Sequence, residues 1–377
     1  MIADAVMACW GMDKGVATTY PYDEKDFKRI DGLTVLEPEL GTKVLQVEES
    51  NSTAGEYAGA VLISQQLTKI LRALRGRITQ RVALPVVAVV ALAATQVSAA
   101  ELEPRAYVNT PPGINFLIAG YAYSEGGLST AAASPIKDAN LTIHTGVLAY
   151  ARTLDVWGKS GKFDVIVPYA DLSGTALVGG QPKERQISGF VDPRFRFSVN
   201  FFGAPVLSME EFATYQPDLL VGASVQVSAP LGQYDSSKLV NLGANRWFIK
   251  PDMGISKSWG PVTLELSAGV TFYTNNNDYN GGKTLEQDPV FSTKAHITYD
   301  FGHGLWCALD GTYDYGGRTT VSGIRGDDLQ GNSRIGGTLA LPVSRHNSIK
   351  LYCSTSVTTR AGSDYTLGGI AWQFRWW

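Results

Sequence analysis

The chain has 377 residues, of which 18% are charged, and a formal net charge of -3, so nothing in it marks a nucleic-acid binder. Plentiful glycine (40) and tyrosine (17) suit an all-β chain with many turns. There is no uncharged apolar stretch long enough for a membrane-spanning helix. Its three cysteines, Cys9, Cys307 and Cys353, form neither a C-x-x-C pair nor a zinc spacing.

Residues 1–68 carry clustered acids (Asp23, Glu24, Asp26, Glu48, Glu49) without sustained alternation. They read either as an N-terminal extension of unknown role or as the product of a mis-assigned start. From Tyr57 to Ala100 there is no Asp or Glu, and Lys69, Arg72, Arg75, Arg77 and Arg81 precede the apolar run VALPVVAVVALAA and then QVSAA. This is the order of a secretory signal peptide over 69–100, cut after Ala99 or Ala100. The mature part is then 101–377.

Beyond residue 100 the chain reads as strand, turn, strand, loop to its end. Phe291, Thr293, Ala295, Ile297, Tyr299 and Phe301 share one face, with Ser292, Lys294, His296, Thr298 and Asp300 on the other. The same alternation predicts strands at Val191–Phe201, Leu219–Ser228 and Leu264–Phe272. Further candidates are Ile114–Ser124, Leu141–Arg152, Phe163–Asp171, Trp247–Ser258, Leu305–Tyr315, Arg334–Pro342 and Ile349–Arg360. The last strand, YTLGGIAWQFRWW, puts Ile370, Trp372, Phe374 and Trp376 on one face. These make about 12 strands, an even number as in bacterial membrane barrels.

Connections alternate in length: short at 158–161, 259–261, 302–304 and 345–347, longer and polar at 125–139, 173–187, 232–244, 274–289 and 316–332. Short periplasmic turns and long outer loops have this order. Residues 203–217 break it with SMEEFATY, in which Ser208 is placed to cap a short periplasmic helix. The fold expected is a transmembrane antiparallel β-barrel. A soluble β-sandwich would also alternate, but it would not end on an uncovered aromatic strand.

Charges of both signs fall on the faces opposite the apolar ones. The candidate lumen-lining residues are Arg194, Arg196, Lys250, Asp252, Glu265, Lys294, His296, Asp300, Asp310, Arg334, Lys350 and Arg360. His144 is also expected to point inward. No H-E-x-x-H and no G-x-S-x-G is present, so no catalytic, cofactor or metal residue is expected. Cys307 and Cys353 fall in apolar phase and read as free, lipid-facing thiols.

The blocks GFVDPRFRFSVNFFGAP, SMEEFATYQPDLLVGASVQVSAPLGQYD, NLGANRWFIKPDMGISKSWGPVTLELSAGVTFYTNN and AWQFRWW, taken in order, resemble the meta-pathway phenol-degradation transporter family. The resemblance covers about residues 105–377. It implies an outer-membrane barrel and passage of small aromatic or hydrophobic compounds. The expectation is therefore a non-enzymatic channel of the Gram-negative outer membrane with no cofactor. Its expected partners are outer-membrane lipid, small hydrophobic or aromatic solutes, and the barrel-assembly machinery, which would read Trp372, Phe374, Trp376 and Trp377. The alternatives are an outer-membrane lipid-modifying enzyme or a poreless structural or adhesion barrel.

Overall fold

The computed structural model describes residues 33–36, 44–47, 103–129 and 136–377. The chain divides into two units, 1–86 and 87–377. In the first, β1 (Leu33–Leu36) pairs antiparallel with β2 (Val44–Val47). The expected signal peptide lies outside the described residues.

In the second unit, β3 (Asn115–Ser129), β4 (Ile136–Val156), β5 (Lys159–Val178), β6 (Gln181–Phe190) and β7 (Arg194–Phe202) come first. Helix α1 (Met209–Thr214) follows, then β8 (Leu219–Ser228), β9 (Phe248–Trp259) and β10 (Val262–Tyr273). The short strands β11 (Asn276–Tyr279) and β12 (Lys283–Gln287) precede β13 (Val290–Gly302) and β14 (Leu305–Gly316). Then come β15 (Thr319–Val321), β16 (Ile324–Arg325), β17 (Gln330–Pro342), β18 (Asn347–Thr358) and β19 (Gly362–Trp376).

With β6 set aside, 12 strands pair antiparallel in the ring β3-β4-β5-β7-β8-β9-β10-β13-β14-β17-β18-β19. The ring closes where β19 pairs with β3 from Gly362↔Ser129 to Trp376↔Asn115. Closure leaves no strand edge for lipid to desolvate, the condition for spanning a bilayer with strands. Strands β11, β12, β15 and β16 form a separate four-stranded sheet from the outer connections.

The alternation read from β13 holds. Phe291, Ile297, Tyr299 and Phe301 are exposed on the outer wall, while Ser292, His296 and Thr298 are buried inside. Phe195, Phe197, Val225, Leu266 and Phe272 also face out. At the periplasmic end of β19 the Trp372, Phe374 and Trp376 rings stack 6.1 and 5.5 Å apart, centroid to centroid. Such a patch builds the interfacial girdle of a membrane barrel. Neither Cys307 nor Cys353 forms a disulfide. Helix α1 forms as expected, with Ser208 capping it and Glu211 completing the reciprocal capping box.

Three expectations need correction. Within the expected connections 125–139 and 173–187, residues 125–129, 136–139, 173–178 and 181–187 are strand. The hairpin of β5 and β6 turns on Gly179 and Gly180, both at positive φ (60° and 78°), which glycine adopts without strain. β6 stands wet on most of its length, so its sequence carries no alternation to read. The predicted strand Val191–Phe201 is interrupted: Pro193 has no N–H for a ladder bond, and β7 starts only at Arg194. His144 faces outward, its Nδ1 2.6 Å from the Tyr121 hydroxyl. In the outer part of β4, Leu141, Ile143 and Thr145 are buried, so here the apolar face is the inner one. The reason is the filling of the outer half of the barrel described below. Access to lipid therefore does not separate His144 from an enzyme site. Among the described residues, however, no serine hydroxyl bonds its ring, and nearby Ser188 donates to Asp171 instead (2.6 Å).

Candidate functional site

The barrel interior has two compartments. The periplasmic one is filled by the segment 103–113 that leads into β3. At its foot, Gly113 N–H donates to the Thr153 carbonyl and Ile114 N–H to Thr153 Oγ1, both at 2.9 Å. Further in, the Tyr107 carbonyl accepts from Asn200 Nδ2 (3.0 Å), and the Tyr107 hydroxyl donates to Asp252 Oδ1 (2.5 Å). The Tyr107 ring lies flat against β8 and β9, where a Cβ on Gly222 or Gly254 would come within 2.4 or 2.3 Å of it. Glycine at these two wall positions makes room for the ring. Arg105 N–H donates to Glu265 Oε2 (2.5 Å), and its guanidinium pairs with Asp300 (3.2 Å) and lies 5.2 Å from the Trp306 ring. Glu103 pairs with Arg196 (2.9 Å), which also pairs with Asp164 (3.0 Å).

Two groups of the segment are shifted by these contacts. Burial alone would raise the Glu103 carboxyl, but Arg196, Lys162 and Lys350 outweigh it and hold the carboxyl well below the usual carboxylate range. Burial, then the hydrogen bond to Asp252, raises the Tyr107 hydroxyl above its ordinary value.

Of the residues expected to line the lumen, Arg196, Lys250, Asp252, Glu265, Lys294 and His296 surround one polar cavity together with Glu103 and Tyr107. Asp310 sits behind His296, whose Nδ1 is 2.7 Å from it, and also accepts from Thr338 (3.1 Å). Asp300 is held by Arg105. Lys350 lies 5.8 Å from the Trp306 ring. Arg334 stands apart, donating to Ser354, Ser356 and the Tyr365 carbonyl beneath the Tyr365 ring. Arg194 is buried beside the Phe248 ring. Arg360 does not lie along the wall: β18 ends at Thr358, and Arg360 is exposed in the outer turn, its N–H on Asn332 Oδ1. The partners Glu103, Arg105 and Tyr107 were not anticipated. The only signal for them is the charged and aromatic run ELEPRAY just ahead of the first strand.

The outer compartment is built around an apolar cluster. Leu141 and Ile143 from β4, and Ala170 and Leu172 from β5, pack with Val191 and Leu242, flanked by Ile187 and Val240. Val240 and Leu242 belong to the connection 229–247 between β8 and β9, which fills a break in the wall. Among the described strands β6 pairs with β5 alone, whereas β7 pairs with both β5 and β8. Above Arg194, opposite Ser228, the ladder between these strands stops. The connection takes its place: Gln233 N–H donates to the Phe190 carbonyl (2.7 Å), and Arg185 Nε to the Val240 carbonyl (3.1 Å). The buried Asp192 carboxylate accepts from Gly232 N–H and Ala244 N–H, both at 2.8 Å.

At the end of this connection Arg246 is only 4% exposed. Its guanidinium lies 4.5 Å from the Tyr273 ring and donates through Nη2 to Gln287 Oε1. Burial, only partly countered by Tyr273, Tyr279 and Tyr234, lowers its pKa. Beside it Asn276 joins the outer connections, accepting from Asn245 (3.0 Å) and donating to the Ala244 carbonyl (3.2 Å).

A family profile described as "Putative MetA-pathway of phenol degradation" matches residues 123–374. Among curated protein sequences none matches. Among solved structures, the COG4313 outer membrane channel from Pseudomonas putida F1 is 18% identical with a TM-score of 0.63, over 73% of this chain and 100% of that one. The transport unit of the autotransporter AIDA-I from Escherichia coli is 9% identical with a TM-score of 0.43, over 74% of this chain and 94% of that one. The Ralstonia pickettii toluene transporter TbuX is 10% identical with a TM-score of 0.35, over 71% and 90%. The first of these has the fold seen here, an outer-membrane barrel. With two thirds of its length matched by the profile, the chain belongs to the phenol-degradation MetA-pathway family.

Proposed function

We propose that this chain passes small apolar or aromatic compounds across the outer membrane. The observation that carries this reading is the division of its interior. The axial route is occupied by a segment tied down through ion pairs with Arg196 and Asp300 and a backbone hydrogen bond to Glu265. The outer compartment is lined by Leu141, Ile143, Leu172 and Leu242 and adjoins a wall break filled by a loop. The apolar side chains Leu141, Ile143, Leu172 and Leu242 offer a hydrated sugar no hydrogen bonds, whereas an apolar solute arriving from the outer leaflet would exchange one apolar surrounding for another. Opening of the connection 229–247 would admit it sideways, and no bond chemistry or cofactor is involved.

Export through the signal peptide and insertion by the barrel-assembly machinery at Trp372, Phe374, Trp376 and Trp377 complete this reading. Its test is uptake by intact cells at solute concentrations low enough for the outer membrane to limit the rate. Producing the barrel should raise the rate for phenol and benzoate and leave that of a sugar and a neutral amino acid of similar size unchanged. Equal gains for all four would show a general pore instead.

A further inference from the structure

Arg246 is the feature of the outer compartment that apolar transport leaves unexplained. It is the most costly kind of residue to bury, yet among the described residues it forms no ion pair, and its Nε and Nη1 donors have no partner. Its single hydrogen bond goes to a neutral amide, Gln287, and its face to a neutral ring, Tyr273. A guanidinium so placed has unspent donors of the shape that recognises a carboxylate.

Its position gives those donors a use. Arg246 ends the same connection whose Val240 and Leu242 fill the apolar cluster, and whose Gly232 and Ala244 hang on Asp192. On its other side Tyr279 and Leu285 form a second apolar cluster with Leu239 and Val321. Lifting the connection away from Asp192 and the Phe190 carbonyl would therefore expose apolar surface and a cationic fork together. The surrounding phenols, Tyr234, Tyr273 and Tyr279, would leave an apolar body dry while the fork takes its head.

Resting on the transport reading above, we infer that the outer compartment selects hydrophobic compounds bearing one acidic head, a carboxylate above all, and that Arg246 binds that head. An aromatic acid and a fatty acid share this chemistry, and the assay separates them. Equilibrium binding to the refolded full-length barrel is measured for benzoate against benzamide and for octanoate against octanamide at neutral pH. At least one acid should bind about tenfold or more tighter than its own amide, and the better acid names the body that fits. Arg246→Gln should abolish that preference while keeping the amide affinity. Arg246→Lys, which retains a point charge, should restore part of it. Heat-modifiable gel mobility verifies that each variant is folded. Equal affinity of acid and amide for the unmodified protein, or a preference that survives in folded Arg246→Gln, overturns the assignment of Arg246 and leaves apolar transport standing. Absence of binding by all four compounds overturns both.

Discussion

In the periplasmic half of the barrel, β7, β9, β10 and β13 turn Arg196, Lys250, Glu265 and His296 toward the segment 103–113. In the outer half, β4 and β5 turn Leu141, Ile143, Ala170 and Leu172 toward the connection 229–247. One half is held by charge pairs and hydrogen bonds, and the other by burial of apolar side chains, each contributing about 1.5–3 kcal/mol. The difference lies in what fills each half: a polar N-terminal segment requires polar walls, and an apolar loop requires apolar ones. It also separates the levers that act on them, since ion pairs respond to pH and salt and an apolar cluster responds to volume and polarity.

The largest effect is expected where a charge enters the apolar half. Leu172 is 0% exposed, so Leu172→Asp loses its packing and buries an unpaired carboxylate, on the order of 5 kcal/mol or more. Heat-modifiable mobility of the refolded barrel should be lost. The same charge in the polar half should be tolerated. Gln226 lies opposite Arg196 on one side and Lys250 on the other, so Gln226→Glu should refold with a urea midpoint near that of the unmodified chain. If both variants behaved alike, the two halves would not differ as described.

Next in size is removal of the central cation of the polar half. Arg196→Gln leaves Asp164 and Glu103 without their shared partner, at about 3–5 kcal/mol for breaking a buried pair, and the segment 103–113 should loosen. Single-channel conductance should rise. In the unmodified chain the pH dependence has a definite sign. Because the Glu103 carboxyl is depressed from its ordinary 4.5, its hold on the segment is complete above that value and is lost only as pH falls through the depressed one. Conductance should stay low from neutrality down to about pH 5 and rise in stronger acid. A rise already complete between pH 7 and 5 would mean that another group holds the segment.

How much of this was legible in the sequence depends on which half is considered. The strands whose inner faces meet the polar segment, β7, β9, β10 and β13, alternate as a membrane barrel should, and Arg196, Lys250, Glu265 and His296 could be placed by phase alone. The outer half inverts the rule. Leu141 and Ile143 point inward, so the period of β4 was visible but its sense was not, and His144 came out on the wrong side. A period-two pattern does not say which face is inside; that depends on what fills the interior, which only the folded connection 229–247 reveals. Asp192 was visible as a charge, but its service to Gly232 and Ala244 lies 40 and 52 residues away. Arg246 sits in a connection with no periodicity, where local sequence carries no sign of burial.

A smaller effect tests the outer wall, which both halves share. Phe195 faces lipid on β7, and Phe195→Arg should slow or block insertion into bilayers at about 2–4 kcal/mol for a midplane position. Its neighbour Arg196 faces inward, so normal insertion of the variant would mean that β7 has been placed with its faces exchanged.

The smallest effect should fall outside both compartments. Ser208 accepts from Glu211 N–H at 3.2 Å, while the Glu211 carboxylate accepts from Ser208 N–H at 2.8 Å. These hydrogen bonds satisfy the exposed start of a one-turn-and-a-half helix that has no buried residue of its own. Ser208→Ala removes one of them, at about 1 kcal/mol, and because α1 lies in the periplasmic connection between β7 and β8, the loss is local. Amide exchange over residues 209–214 should quicken, while conductance, acid preference and the urea midpoint of the barrel stay as they were. A change in conductance with this variant would tie α1 to the segment 103–113, whose Asn109 already reaches the same connection through the Pro205 carbonyl at 3.1 Å. The periplasmic compartment would then extend past the wall into that connection.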